Sequence, residues 1–138
     1  MFYGKHLLVE AIIKNQKDLT NKVLIKKMFE QIVKAVNITP VLDPVIYQFP
    51  KKPEAPKNLK GGITAFYIIA ESHLSIHTWP EDNYFAFDFF SCTNFNEKKV
   101  IDIIEKTFEI KKFYQKVIDR GISVNFKNLK IYLKNKKN

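Results

Sequence analysis

Three consecutive segments between residues 63 and 92 constrain the fold more than any other part of the chain. The segments Ile63–Ala70, Leu74–Trp79 and Tyr84–Cys92 are each long enough for a strand, and Pro80 ends the second one. In the third segment, phenylalanines at positions 85, 87 and 89 alternate with other residues, and this period of two is typical of a strand with one buried face. The short links between the segments favour an antiparallel sheet.

The flanking sequence adds two helices and further strands to this sheet. We predict strands at Phe2–Ile13 and Ile38–Phe49, a helix from about Thr20 to Val36, a loop over residues 50 to 62, a helix from about Asn96 to Glu109, and one or two closing strands within Phe113–Leu133. In the first helix we expect Val23, Leu24, Met28, Ile32 and Val36 to face the core. The predicted fold class is α+β, with two helices on one face of an antiparallel sheet. The other face would lack a cover, so we expect a dimer packed sheet on sheet.

Length and composition indicate one soluble globular domain, spanning residues 1–138. The 46% hydrophobic and 14% aromatic content excludes a disordered chain, and no apolar run approaches the roughly 18 residues that a membrane span needs. The chain shows no secretory signal pattern and its single cysteine cannot form an internal disulfide, so we expect a cytoplasmic location. The formal charge of +9 suggests nucleic-acid binding, but the lysines are spread along the chain and concentrate only in the tail, which favours compositional bias.

The segment AESHLSIHTWPE, residues 70 to 81, holds two of the three histidines and the only tryptophan. His73 and His77 are four apart on a predicted strand, and with Cys92 they could form a zinc site, although no CxxC or HExxH pattern accompanies them. Cys92 could instead be a nucleophile with a histidine as base, but the sequence shows no oxyanion element. Spacing alone favours a third interpretation, in which these are ordinary polar residues of a half-buried strand.

The run GITAFYIIAESHLSIHTWPEDNYFAFDFFSC, residues 62 to 92, closely resembles the core of the small prokaryotic S-adenosylmethionine decarboxylases. The opening FYGKHLLVEA and the late DRG are similar too, whereas residues 14 to 60 and the lysine-rich tail carry little of the resemblance. Members of this family are pyruvoyl-dependent enzymes whose proenzymes cut themselves at a Glu-Ser bond. The resemblance therefore implies cleavage between Glu71 and Ser72 into chains 1–71 and 72–138.

The resemblance also assigns the catalytic residues. Ser72 would attack the carbonyl of Glu71 and become a pyruvoyl group, which supplies the electron sink through a Schiff base with the substrate, so that no metal and no pyridoxal phosphate is needed. His77 matches the histidine that removes a proton during processing, and Thr64 stands where the family usually has a serine that assists this step. Cys92 matches the cysteine that returns a proton to the decarboxylated carbon.

The same resemblance points to a nucleoside substrate. Trp79 would stack on adenine with a second ring from Tyr47 or Phe49, and Glu81 would bind the ribose hydroxyls. These residues favour S-adenosylmethionine, the precursor of the aminopropyl groups of spermidine, over arginine or ornithine, which relatives of this fold decarboxylate. The expected assembly is a homodimer of cleaved protomers. A basic domain that binds nucleic acid and leaves the Glu71–Ser72 bond uncut stays open as a non-enzymatic alternative.

Overall fold

The structure, a computed structural model, describes residues 3 to 121. In chain order the elements are β1 (Gly4–Ile13), α1 (Lys22–Ala35), β2 (Thr39–Pro40), β3 (Val45–Gln48), β4 (Ile63–Ala70), β5 (Ser72–Trp79), β6 (Tyr84–Ser91), α2 (Glu97–Thr107) and β7 (Ile110–Arg120). Single turns of 3₁₀ helix lie at Gln16–Thr20 and Pro80–Asp82. No helix among residues 3 to 121 is long and apolar enough to cross a membrane.

All seven strands belong to one antiparallel sheet. Its order is β2-β4-β5-β6-β1-β7, and β3 pairs with β4 beside β2. Alternate residues of the central strands point to opposite faces, so Leu74 and Ile76 on β5 are buried, as are Phe85, Phe87 and Phe89 on β6. The predicted fold class, an antiparallel sheet with two helices, is confirmed.

Both helices contribute one apolar stripe to the core. In α1 the stripe consists of Ile25, Met28, Phe29, Ile32 and Val33. The prediction of Val23 as a core residue is wrong, because 78% of this side chain is exposed. The Asn21 side chain caps the helix by accepting a hydrogen bond from the backbone N–H of Leu24. In the first turn Val23 lies about 200° around the helix from the buried Ile25, so it faces solvent. In α2, Val100 and Ile104 are buried, and so is Phe108 just after the helix.

Three predicted elements differ in their bounds. The single strand expected over Ile38–Phe49 is two short strands, separated by residues 41 to 44, which include Pro44. The strand predicted to begin at Leu74 begins at Ser72, directly after the turn. The closing strand begins at Ile110, three residues earlier than predicted, and the rest of the segment predicted to reach Leu133 lies outside the described residues, as does the lysine-rich tail.

The second face of the sheet carries exposed side chains of mixed character. Its apolar part includes Val45 and Tyr47 on β3, Phe66 and Ile68 on β4, and Ile118 on β7. Its polar part includes a hydrogen bond between the His6 Nε2 and the Asp88 Oδ1, which are 2.8 Å apart. We call this surface the open face. It holds the odd-numbered side chains of β5, including His73 and His77.

Candidate active site

The Glu71–Ser72 bond lies in the tight turn that joins β4 to β5. Ile69 pairs with Ser72 across the hairpin, so only Ala70 and Glu71 connect the last paired residues. Ser72 has a φ of 117°, a region that residues with a side chain rarely adopt. Strain of this kind costs of the order of 1–3 kcal/mol and persists only where the surrounding structure imposes it. The strained residue, Ser72, is the one that the resemblance assigns as the attacking nucleophile.

Cys92 contacts both halves of this turn. Its Sγ lies 3.4 Å from the Ser72 Oγ, and its backbone N–H donates a hydrogen bond to the Glu71 carbonyl oxygen at an N···O distance of 3.4 Å. That oxygen would carry the negative charge if Ser72 attacked the carbonyl, and a backbone donor aimed at such a position is the usual form of an oxyanion site. No sequence pattern indicates this donor, since its position depends on the pairing of β5 with β6.

A second pair of polar residues lies further along the same hairpin. Thr64 on β4 pairs in register with His77 on β5, and the Thr64 Oγ1 is 3.0 Å from the His77 Nδ1. Across the neighbouring strand, His77 faces the small side chain of Ala86. Both polar side chains are half-buried, so the threonine hydroxyl can fix the orientation of the imidazole ring while the opposite ring nitrogen stays available.

The two pairs are well separated within the protomer. Ser72 and His77 are five positions apart on β5, which corresponds to about 17 Å along an extended strand. The structure therefore joins Ser72 to Cys92 and Thr64 to His77, but it does not bring the four residues together in one protomer.

A cavity of about 440 Å³ opens beside the Thr64–His77 pair. Aromatic rings of Phe49 and Trp79 border it, together with the carboxylate of Glu81, which follows directly after β5. Trp79 is 38% exposed, so its ring is available to a ligand. Tyr47 packs edge-on against Phe49 at 4.9 Å between ring centroids but does not itself border the cavity.

Two adjacent glycines form the base of the loop that closes this cavity. A Cβ on Gly61 would lie 1.8 Å from the Phe49 carbonyl oxygen, and a Cβ on Gly62 would lie 2.4 Å from the Thr78 carbonyl oxygen. Neither distance leaves room for a side chain. The glycine pair, predicted only as part of a loop, is therefore required for the chain to pass this close to the cavity wall.

Lys52 from the same loop forms an ion pair with Glu81. The hydrogen bond from the lysine holds the pKa of the Glu81 carboxyl below its ordinary value, and the same bond raises the pKa of Lys52. The sequence did not single out Lys52, because nothing distinguished it from the other lysines of the loop.

The zinc hypothesis finds no support in the arrangement of its ligands. His73 and His77 share the open face but are four strand positions apart, about 13 Å, and Cys92 lies beside Ser72 at the end of β5. The His73 ring stacks on Phe66 at 4.9 Å between centroids, and burial lowers the pKa of this histidine. No group of three His, Cys, Asp or Glu side chains within the described part of the chain could hold a metal ion.

Comparison with known proteins identifies the family and the fold. Residues 5 to 121 match the family model described as S-adenosylmethionine decarboxylase. An S-adenosylmethionine decarboxylase proenzyme of Clostridium botulinum is 31% identical over 121 residues, covering 87% of this chain and 96% of that protein. The corresponding proenzyme of Thermococcus kodakarensis is 34% identical over 120 residues, covering 86% of this chain and 77% of that protein.

The fold also matches that of a solved structure. The crystal structure of the adenosylmethionine decarboxylase from Aquifex aeolicus superposes with a TM-score of 0.73 at 27% identity, covering 90% of this chain and 95% of that one. The family model spans far more than half of the chain, including both residue pairs and the cavity. By sequence and by fold, this chain belongs to the S-adenosylmethionine decarboxylase family.

Proposed function

We propose that this protein cleaves itself between Glu71 and Ser72 and then decarboxylates S-adenosylmethionine. The observation that carries the proposal is the turn at Ser72, where a strained serine, a nearby thiol and a backbone donor to the Glu71 carbonyl oxygen meet. The family supports the same assignment, since its curated members are named as proenzymes of this decarboxylase. The product would supply aminopropyl groups for polyamine synthesis.

Cleavage begins when the Ser72 Oγ attacks the carbonyl carbon of Glu71. The C–N bond breaks, the nitrogen takes up the proton of the hydroxyl, and an ester links Glu71 to the serine oxygen. A base then removes the α-proton of residue 72, so that the Glu71 carboxylate leaves and residue 72 becomes an enamine. Its imine tautomer hydrolyses with loss of ammonia and leaves a ketone. The donor from Cys92 stabilises the first of these steps, and relief of the strain at Ser72 favours it.

The resulting pyruvoyl ketone would supply the electron sink that no side chain provides, because it would hold the substrate amine and accept the electron pair that departing carbon dioxide leaves on the substrate carbon. The chain's own residues provide the proton. With its Sγ 3.4 Å from the Ser72 Oγ, the Cys92 thiol lies close enough to protonate a carbon held at that position. We assign this role to Cys92 and expect Cys92→Ala to be cleaved normally yet to lose most turnover.

The cavity fits the nucleoside part of the substrate. Trp79 and Phe49 present rings that can enclose adenine, and the Glu81 carboxylate can accept both ribose hydroxyls. Phe49 is the better second ring, since it borders the cavity and Tyr47 does not. An aromatic wall also suits a cationic sulfonium, which arginine and ornithine lack.

The separation of the two residue pairs supports a site shared between two protomers. His77 cannot reach its own Ser72 over about 17 Å, yet the processing role assigned to it requires contact. If two open faces pack with their β5 strands antiparallel, the Ser72–Cys92 end of each strand lies over the Thr64–His77 region of the other. The two-fold axis would then pass near the midpoint of that distance, close to Ser75. This homodimer also covers the apolar part of the open face.

Mass spectrometry of the purified protein tests the proposal. We expect two chains, each about half of the 16.2 kDa total, with the C-terminal one lighter by one ammonia than a peptide that begins with serine. Ser72→Ala should stay whole and inactive. Parallel assays of carbon dioxide release from S-adenosylmethionine, arginine and ornithine identify the substrate.

Two results would contradict the proposal in different ways. A chain that stays intact after long incubation, with salt-sensitive binding to DNA or RNA, would favour the nucleic-acid alternative. Cleavage followed by carbon dioxide release from arginine or ornithine, with none from S-adenosylmethionine, would overturn the proposed substrate and leave the pyruvoyl chemistry in place. A cytoplasmic location stays a prediction that rests on the single cysteine.

A further inference from the structure

The loop between β3 and β4 places a cation on the carboxylate that the substrate needs. Its N-terminal part is folded back on itself, because the Lys51 Nζ donates to the carbonyl oxygens of Ala55 and Pro56. Its C-terminal part is anchored by the buried side chain of Leu59. Within the first of these parts, Lys52 borders the cavity and donates a hydrogen bond to the Glu81 Oε1.

Glu81 is the only acidic residue among the described residues that line the cavity, whereas two lysines line it, Lys52 and Lys60. The Lys52 side chain is 53% exposed and that of Glu81 is 23% exposed, so the pair is accessible from the cavity. A ribose hydroxyl and a lysine ammonium are both donors, and both need an oxygen of the same carboxylate. Because a carboxylate has two oxygens, it can accept from both donors at once or exchange one for the other.

We propose that Lys52 is an internal competitor of the substrate, which holds Glu81 in the empty enzyme and is displaced by the hydroxyls of the nucleoside sugar. This inference rests on the proposed function, because it takes the cavity to be the nucleoside site. It assigns to Lys52 a role in setting affinity, and Lys52 takes no part in the chemical step.

Charge favours displacement over simultaneous binding. The sulfonium of S-adenosylmethionine is a cation, and an ammonium kept in the same small cavity would repel it. When Lys52 moves off Glu81 toward solvent, the free carboxylate attracts the sulfonium. An exposed ion pair in water is weak, so the exchange is easy, and its removal changes affinity by no more than about two- to fivefold.

The test compares three lysine variants by calorimetric titration with adenosine and with 2′,3′-dideoxyadenosine. Lys52→Met keeps the aliphatic stem and removes the charge, so adenosine should bind about two- to fivefold more tightly. Lys52→Arg should weaken adenosine binding, since a guanidinium can hold a carboxylate through two parallel hydrogen bonds. Lys57→Met is the matched control, because this lysine belongs to the same loop but does not border the cavity, and it should change nothing.

The dideoxy compound separates competition from a general effect of charge. It has no sugar hydroxyl at positions 2′ and 3′, so it offers no donor that could replace the Lys52 ammonium at Glu81. Its affinity should therefore be the same for Lys52→Met and the unaltered protein. In turnover assays, Lys52→Met should lower the KM for S-adenosylmethionine and leave kcat unchanged.

Three outcomes overturn the inference. Weaker or unchanged adenosine binding by Lys52→Met would mean that the lysine supports binding or has no part in it. An equal gain for both nucleosides would indicate a charge effect without exchange at Glu81. Undetectable adenosine binding by every variant would contradict the assignment of the cavity as the nucleoside site. Failure of the proposed function has a separate signature, which is absence of carbon dioxide release from S-adenosylmethionine by the unaltered enzyme.

Discussion

Mixed dimers of two inactive variants give the sharpest test of a shared active site. Ser72→Ala removes the attacking hydroxyl, and His77→Ala removes the assigned base. On β5 these positions are about 17 Å apart, several times the reach of a hydrogen bond. If each Ser72 is served by the partner's His77, a mixed dimer contains one doubly altered site and one unaltered site, and the unaltered site processes the His77→Ala chain.

When the two variants are co-expressed in equal amounts, the expected fraction of cleaved chains follows from random pairing. Random pairing makes about half of the dimers mixed, so about half of the His77→Ala chains should be cut while every Ser72→Ala chain stays whole. An affinity tag on one variant distinguishes the chains by electrophoresis. Each variant expressed alone is the baseline. His77→Ala alone should accumulate uncut chains or ester-linked chains, and hydroxylamine should cleave only the ester-linked ones.

The reverse combination provides a matched control. A chain that carries both substitutions, co-expressed with the unaltered chain, offers each unaltered Ser72 in a mixed dimer only an alanine at position 77. Cleavage of the unaltered chains should then fall to about half. If His77→Ala chains are never cut in the first experiment and unaltered chains are fully cut in the second, the site lies within one protomer and the reasoning from strand geometry fails.

Three further predictions concern single residues. Thr64→Val removes the hydroxyl 3.0 Å from the His77 Nδ1 and should slow cleavage in a refolding time course. Thr64→Ser keeps a hydroxyl and should cleave at least as fast as the unaltered chain. Equal cleavage rates for the two variants would exclude the hydroxyl from processing. Trp79→Ala should cost about 1–3 kcal/mol of substrate binding, seen as a raised KM with normal cleavage, and a normal KM would refute the stacking role. Burial lowers the pKa of His73 in the folded protein, so the unfolded chain binds a proton at this histidine more readily. The melting temperature should therefore fall as the pH drops through the ordinary histidine value of about 6.5, and it should level off below the folded-state pKa. His73→Phe should flatten that part of the profile, and an unchanged slope would assign it to other groups.

The strands and helices were predictable where one face of an element is buried. The alternation of Phe85, Phe87 and Phe89 fixes a period of two, and the core residues Val100 and Ile104 fix the inward face of α2. Prediction failed at Val23 because residues 23, 24 and 25 are all apolar, so the local pattern does not decide which of them faces the core. In the structure Ile25 is buried and Leu24 packs at the margin of the core, which leaves Val23 on the solvent side.

The arrangement of the candidate site was not predictable from the sequence. The resemblance named Ser72, His77 and Cys92, yet it contained no information on which of them meet. Pairing partners decide that, and the register of β5 with β6 places Cys92 at the turn while the register with β4 places Thr64 beside His77. The backbone donor of Cys92 and the Lys52–Glu81 pair depend on tertiary contacts between segments 20 to 30 residues apart, which no local pattern reveals.

One antiparallel hairpin carries both the proposed chemistry and the reason to propose a partner. The turn between β4 and β5 holds the serine assigned as nucleophile, and the assigned base lies far from it on the same strand because every position adds about 3.4 Å. Two such hairpins packed with their β5 strands antiparallel would place each serine beside the other's histidine, so a single interface would complete two sites at once. In a separate protomer His77 stays out of reach of Ser72, and the strained turn would remain uncut until the second protomer binds. Processing and assembly would then be one event, because the group that cleavage requires arrives only with the partner.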